Sequence, residues 1–289
     1  MRRFRKAPIW TYFKFYLPDH AHRLADQTRR RTRGCRWARH TPLLDYVKQK
    51  LAMKWSPEQI AGRLRRDFPE AAQMRVSHMS TYRWIKADRL AGGDWWKHLR
   101  QSRKRRRRAY GSGPRRSRIP QRVGIEQRPA RANRRAEVGH WESDTVQAKH
   151  GRLATHVDRK SRYLLIARMT DGTAGQFNAA SLRRFSTLPS HCRKTMTADN
   201  GSEFTGHQHL SKRLGWKTFF ADPYSSWQRG TNENTNGLIR QYVPKGCDLS
   251  TISHQQVASI ERALNNRPRK CLGYRTPDEV MRPLLRLKC

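Results

Sequence analysis

The stretch HWESDTVQAKHGRLATHVDRKSRYLLIARM, residues 140–169, predicts three consecutive β-strands. Residues 140–148 and 153–169 are rich in β-branched, aromatic and other apolar side chains, which favour extended backbone. The polar residues 158–161 interrupt the second segment and are typical of a turn. We therefore predict that the chain forms an antiparallel meander of three strands here.

The residues after this meander alternate between helical and extended patterns. Residues 173–189 and 203–215 predict helices that end at a proline and a glycine, whereas 194–199 and 216–225 predict strands. Terminal helices follow. This order of elements predicts an α/β fold of the ribonuclease-H-like kind, with a mixed five-stranded sheet flanked by helices.

Two short helices are predicted upstream, within residues 41–92. Ser56 and Pro57 begin the first and Ser77 caps the second, which carries aromatic and basic side chains together. This layout favours a helix-turn-helix module, and a small structural three-helix module is the alternative. Candidate DNA contacts in this module are Ser77, His78, Thr81, Arg83 and Lys86. We expect a basic arm at 1–40, a basic linker at 93–135 and the catalytic core at 136–289.

The net charge of the 289-residue chain is +40, from 62 Lys and Arg against 22 Asp and Glu. Such an excess needs a polyanionic partner, and nucleic acid is the leading candidate. Within the run RKRRRR at 103–108, the candidate phosphate contacts are Arg105, Arg106, Arg107 and Arg108. The basic run at 103–108 lacks an apolar helical face, and this disfavours the alternative that the protein binds a membrane surface.

Neither a membrane-spanning segment nor a secretory leader is evident in the sequence. The five cysteines are scattered without a CxxC pair, so reduced thiols are expected. The sequence thus favours a soluble, cytoplasmic protein associated with the nucleoid.

Three acidic residues stand where catalytic carboxylates would be placed. Asp144 lies inside the first strand, Asp199 follows the fourth, and Glu233 falls on the polar face of a helix predicted over residues 228–242. Carboxylates at two strands and a following helix can hold two divalent ions for phosphoryl transfer. Oxygen ligands and phosphate chemistry favour Mg²⁺, with Mn²⁺ able to substitute.

The motifs HWESDTV, TADNGSEF, YSSWQRGTNENTNGLIRQYVPKG and LNNRPRKCLGYRTPDEV resemble the consecutive signatures of the DDE transposases of the insertion-sequence-thirty family. The gap of 33 residues between Asp199 and Glu233 matches the family pattern. The resemblance implies that Asp144, Asp199 and Glu233 form the acidic triad. It also implies cleavage and strand transfer at terminal inverted repeats. Candidate DNA contacts around the third acid are Gln228, Arg229, Asn232, Asn236, Arg240 and Lys245.

The sequence departs from the family pattern at three places. Ser143 replaces a Gly before the first Asp, and Met79 and Ser80 alter the start of the second helix. The family pattern also begins with another helix-turn-helix, which we expect to be lacking here, because the sequence starts with MRRFRKAPIWTYFKF where that module should already have ended. This last departure keeps open an alternative function, a truncated DNA-binding remnant or regulator that no longer transposes.

A ribonuclease or a retroviral-type integrase is a weaker alternative. An integrase of that type would carry an N-terminal His and Cys zinc module, but the nearest residues, His20, His22, Cys35 and His40, have poor spacing for zinc and favour a basic arm. Because two DNA ends require two active sites, we expect a homo-oligomer on DNA.

Overall fold

The computed structural model describes residues 18–32, 40–100, 119–223 and 225–286. The chain divides into two compact units between Tyr46 and Val47. The predicted phosphate contacts Arg105 to Arg108 lie outside the described residues, and the sequence-based domain boundaries remain predictions.

Among the described residues up to 100, the α-helices lie ahead of the sheet in chain order. Helix α1 spans Pro18–Thr32, α2 spans Thr41–Ala52, α3 spans Pro57–Asp67 and α4 spans His78–Leu90. A four-residue helix, α5 (Ala130–Asn133), stands just before the first strand.

Side-chain caps begin α3 and α4 as the sequence predicts. The Ser56 hydroxyl accepts a hydrogen bond from the Gln59 backbone N–H, and the Gln59 side chain accepts one from the Ser56 N–H, forming a capping box. The Ser77 hydroxyl accepts from the backbone N–H of Ser80 at 3.0 Å, so the unusual residues at the start of α4 leave its cap intact. Helices α3 and α4 bury the apolar side chains of Ile60, Leu64 and Ile85.

The predicted meander and five-stranded sheet are confirmed. The strands are β1 (His140–Ala148), β2 (Gly151–Asp158), β3 (Leu164–Met169), β4 (Thr195–Ala198) and β5 (Lys217–Phe220). The order across the sheet is β3-β2-β1-β4-β5, with the meander antiparallel and β4 and β5 parallel to β1. This mixed sheet, with helices on both faces, is the predicted ribonuclease-H-like fold.

Helices cover both faces of the sheet. They are α6 (Ala174–Phe185), α7 (His207–Leu214), α8 (Gly230–Ile239), α9 (His254–Asn265) and α10 (Pro277–Leu285). One face carries an aromatic core that includes Trp141, Phe177 and Phe185. The other packs aliphatic side chains of the sheet against Leu238 of α8 and Leu264 of α9. Because side chains alternate along β1, Glu142 and Asp144 share the face that α8 covers.

The buried Ser143 side chain has a partner of its own. Its hydroxyl lies 2.8 Å from Nδ1 of His156 on the paired strand β2, and both residues are fully buried. The serine that replaces the family glycine is therefore accommodated by a hydrogen bond inside the sheet.

Helix α3 is tied to the C-terminal part of the same compact unit. Both terminal nitrogens of Arg63 reach the carboxylate of Glu279 in α10, at 2.6 and 2.8 Å, and Lys270 pairs with Glu58 at 2.7 Å. The ammonium of Lys54 lies 3.9 Å from the ring centroid of Tyr242. Charged and cation–π contacts thus join α3 and the loop before it to the C-terminal part of this unit.

Candidate active site

Asp144 and Asp199 are brought together at the C-terminal end of β4, which runs beside β1 in the sheet. The Arg229 guanidinium connects them, with Nη1 3.4 Å from Oδ2 of Asp144 and Nη2 3.0 Å from Oδ2 of Asp199. Parallel pairing of β1 with β4 produces this proximity, because Glu142 pairs with Thr197 and the two aspartates each follow two residues later.

Further hydrogen bonds orient the Asp144 carboxylate. Its Oδ1 accepts from the backbone N–H of Thr145 at 2.7 Å, and its Oδ2 accepts from the side-chain amide of Asn236 at 2.9 Å. Burial raises the pKa of Asp144 to about 6, with the positive charge of Arg229 acting to lower it and the negative charge of Asp199 acting to raise it. Ionising the buried Asp144 carboxylate therefore costs free energy, and a nearby positive charge reduces this cost.

Glu233 lies on α8 but does not complete a metal-binding group in this conformation. Its side chain is exposed, and Asn236, one turn further along α8, contacts Asp144. Across the described parts of the chain, no three His, Cys, Asp or Glu side chains are grouped closely enough to hold a metal ion. Convergence of the three acids is thus a prediction that this conformation does not display.

The described helix α8 is shorter than the sequence predicts. It spans Gly230–Ile239, after a short 3₁₀ turn at Ser226–Arg229, whereas the pattern indicates residues 228–242. Its predicted phase is confirmed, because Thr231, Thr235 and Leu238 are buried while Glu233 is exposed.

The other DNA contacts predicted around α8 differ in how exposed their side chains are and in which residues they bind. Arg240 donates to the backbone carbonyl of Gln147 at 2.6 Å, and Lys245 is exposed. Gln228 is held by Asp222, donating to its carboxylate and accepting from its backbone N–H. Asn232 is fully buried, so its side chain is out of reach of DNA in this conformation.

Residues Ser77, His78, Arg83 and Lys86 are exposed on or beside α4. Thr81 is fully buried, and its hydroxyl donates to the Ser77 carbonyl at 3.2 Å. The DNA contacts of Thr81 and Asn232 stay predictions that this conformation does not expose, since each side chain packs inside the protein.

Two carboxylates near the aspartates were not predicted from the sequence. Glu203 accepts a hydrogen bond from the Thr145 hydroxyl at 2.8 Å and is largely buried. Glu142, two residues before Asp144, is fully buried, pairs with Arg159, and accepts from the backbone N–H of Asn232 at 3.1 Å. A signal was present, because an acid two positions before Asp144 shares its face of the strand.

The carboxylates fit a divalent cation by the chemistry of their donors. Asp144 and Asp199 offer only oxygen, and one positively charged group, Arg229, already lies between them.

The described residues contain no helix long and apolar enough to cross a membrane.

Comparisons with known proteins agree with this architecture. Residues 134–226 match the integrase core domain family. The ribonuclease-H-like sheet together with this match places the chain in the class of integrase-core polynucleotidyl transferases, whose members generally use divalent metal ions.

Transposases of insertion sequences align with most of the chain. The transposase InsI for insertion sequence element IS30A of Escherichia coli is 38% identical over 277 residues, covering 93% of this chain and 72% of its own length. The transposase for insertion sequence element IS4351 of Bacteroides fragilis is 40% identical over 276 residues, covering 93% and 82%. The chain belongs to the insertion-sequence-thirty family of transposases.

Proposed function

We propose that this transposase cuts DNA at the terminal inverted repeats of its element and transfers the exposed 3′ hydroxyl to another phosphodiester. The approach of Asp144 and Asp199 to one shared cation, the Arg229 guanidinium, is the observation that carries the proposal. Two carboxylates that share a cation at a sheet edge suit a site that must hold metal and phosphate together.

Asp144, Asp199 and Glu233 would hold two divalent ions, Mg²⁺ or in its place Mn²⁺. When bound, these ions supply an activated hydroxyl nucleophile and stabilise the leaving oxygen. Asn236 holds the Asp144 carboxylate through Oδ2, and the Thr145 backbone holds Oδ1. Since Asn236 of α8 already contacts Asp144 while Glu233 is exposed, α8 would have to turn or shift for Glu233 to join the aspartates.

DNA would contact the exposed basic and polar side chains of two regions. In α4 and its cap these are Ser77, His78, Arg83 and Lys86, and near α8 it is Lys245. The other proposed contacts beside the acids are less accessible: Gln228, Asn236 and Arg240 are half-buried and Arg229 is buried. We further propose that the protein acts as a homo-oligomer on two DNA ends and is associated with the nucleoid.

The test is metal-dependent cleavage and strand transfer on DNA that carries the element's ends. We expect activity with Mg²⁺ and Mn²⁺, and loss to background in Glu233→Gln. The matched control is Glu126→Gln, which removes an exposed glutamate that lies outside the acidic group. Strand transfer that survives in Glu233→Gln would reject Glu233 as a metal ligand.

A DNA-binding remnant without strand transfer is not favoured. The relatives are named as transposases, and all three acids occupy their motif positions.

A further inference from the structure

A cavity of about 240 Å³ lies at the N-terminal end of α8. Its α8 lining comprises Gly230, Thr231, Asn234 and Thr235. Thr231 and Thr235 lie on the opposite side of the helix from Glu233, whereas Gly230 and Asn234 lie nearer to it. Three arginines also line it: Arg135, Arg162 and Arg269. Among the described residues, no acidic residue lines the cavity, and its three arginines make it strongly cationic.

Arg269 is buried without a countercharge. It is 8% exposed, its Nη2 donates to the Leu264 carbonyl at 3.2 Å, and its Nε has no hydrogen-bond partner among the described residues. Within that same part of the chain no carboxylate forms an ion pair with Arg135, Arg162 or Arg269. A buried cation that lacks a counterion is costly, so an anion would be stabilised strongly here.

A second buried arginine adds to the local positive charge. Arg267 is 2% exposed and donates only to the neutral side-chain amide oxygens of Gln59 and Gln241. Burial, together with the neighbouring charge of Arg267, lowers the pKa of Arg269 to about 10. The guanidinium groups thus repel one another and remain uncompensated.

The N-terminal end of α8 also adds positive electrostatic potential to the cavity. The N-cap residue, Arg229, makes no side-chain cap, and the first residues of this ten-residue helix, Gly230 and Thr231, line the cavity. The next backbone N–H, that of Asn232, is taken by the Glu142 carboxylate. A helix N-terminus carries about half a positive charge and commonly binds phosphate. Arg162 donates to the Thr231 hydroxyl at 2.7 Å, which places a guanidinium beside this end.

We propose that this cavity binds a phosphate group, held by Arg135, Arg162 and Arg269 together with the N-terminus of α8. Planar guanidinium groups suit phosphate because they can donate two parallel hydrogen bonds. The phosphate could come from a DNA strand or from a free phosphate compound. Only the DNA source depends on the proposed function. A DNA strand bound in this cavity would contact the N-terminal part of α8, the helix that carries Glu233.

The phosphate site is tested by thermal unfolding without divalent metal, in inorganic phosphate against chloride at equal ionic strength. The variant is Arg135→Gln, because Arg135 is exposed and its side chain makes no hydrogen bond to the described residues. Arg134→Gln is the matched control, since Arg134 is the next residue, is also exposed and does not line the cavity.

We expect phosphate to raise the melting temperature of the wild type and of Arg134→Gln equally. The gain should fall by at least half in Arg135→Gln and also in Arg162→Gln. Equal gains in all four proteins, or no gain in the wild type, would overturn the proposal.

The source of the phosphate is tested by binding of a generic duplex over a KCl series, again without metal. If the cavity takes a DNA phosphate, the slope of log K against log salt becomes shallower by about 0.9 in Arg135→Gln than in Arg134→Gln. Equal slopes with an intact phosphate effect would assign the site to free phosphate compounds and reject the DNA source.

The phosphate gain should persist in Glu233→Gln, which lacks strand transfer. Failure of the catalytic proposal is thereby distinguished from failure of the phosphate site.

Discussion

The Glu142 carboxylate accepts a hydrogen bond from the backbone N–H of Asn232 at 3.1 Å, linking β1 to the first turn of α8. Both residues are fully buried, and the other Glu142 oxygen pairs with Arg159. Glu142 lies two residues before Asp144 on β1, and Asn232 lies one residue before Glu233 on α8. The hydrogen bond between Glu142 and Asn232 therefore links the strand that carries Asp144 to the helix that carries Glu233. The buried ion pair of Glu142 with Arg159 is therefore connected to the elements that carry the proposed catalytic acids.

Glu142→Gln should destabilise the fold by about 3–5 kcal/mol, because it leaves the buried Arg159 charge uncompensated. Denaturant unfolding measures the loss. The double variant Glu142→Gln with Arg159→Gln should lose less than the two single losses added together, because it removes both charges. Strictly additive losses would show that the pair contributes no coupling.

Asp144→Asn should stabilise the metal-free protein at pH 7 by about 1–3 kcal/mol while abolishing strand transfer. The pKa of Asp144 in the folded protein is raised to about 6 from 3.8, so ionisation costs stability once the pH exceeds 3.8, and the full cost applies above about 6. The gain should therefore shrink as the pH falls from 6 toward 4. Melting temperatures measured from pH 4 to 8 without metal, beside Asp199→Asn, check this sign; a gain that is constant across the range would contradict it.

Arg63→Gln should loosen α3 from α10 at a cost of about 1 kcal/mol, because the pair with Glu279 is bidentate but partly exposed. Hydrogen exchange should show faster amide exchange in α3 with unchanged exchange in the sheet. Lys270→Gln, which removes the exposed pair with Glu58, should have a smaller effect. An equal effect of the two variants would argue against Arg63 as the main tie.

Removing the charges of Arg83 and Lys86 from the exposed side of α4 should weaken binding to generic duplex DNA. The slope of log K against log salt should become shallower by about 0.9 for each DNA phosphate that the variant no longer neutralises. Binding isotherms over a range of KCl concentrations measure the slope. The matched control removes Lys212 and Arg213, two exposed charges of α7. Identical slopes in the two double variants would reject α4 as a DNA-binding helix.

Local patterns were sufficient for most of the framework. The alternation in residues 140–169 predicts the meander, and Ser56 and Ser77 mark helix starts by the same hydrogen bonds that the structure contains. Such features depend on neighbours only a few residues apart, so the sequence carries them directly. The acidic motif positions, Asp144, Asp199 and Glu233, are likewise evident from the sequence.

Pairings across long separations could not be predicted in this way. Arg229 between Asp144 and Asp199, and Glu142 against both Arg159 and Asn232, depend on how strands and helices pack. Periodicity gives the face of an element, but it does not say which distant group will meet a buried charge.

The sequence by itself therefore determined the fold class, the family and the positions of the three acids. Only the tertiary structure decided which side chains are buried, as with Asn232 and Thr81, and where cations gather without a countercharge, as at Arg269. The physical reason is that burial and electrostatic compensation belong to the packed arrangement, in which groups far apart along the chain share one low-dielectric environment.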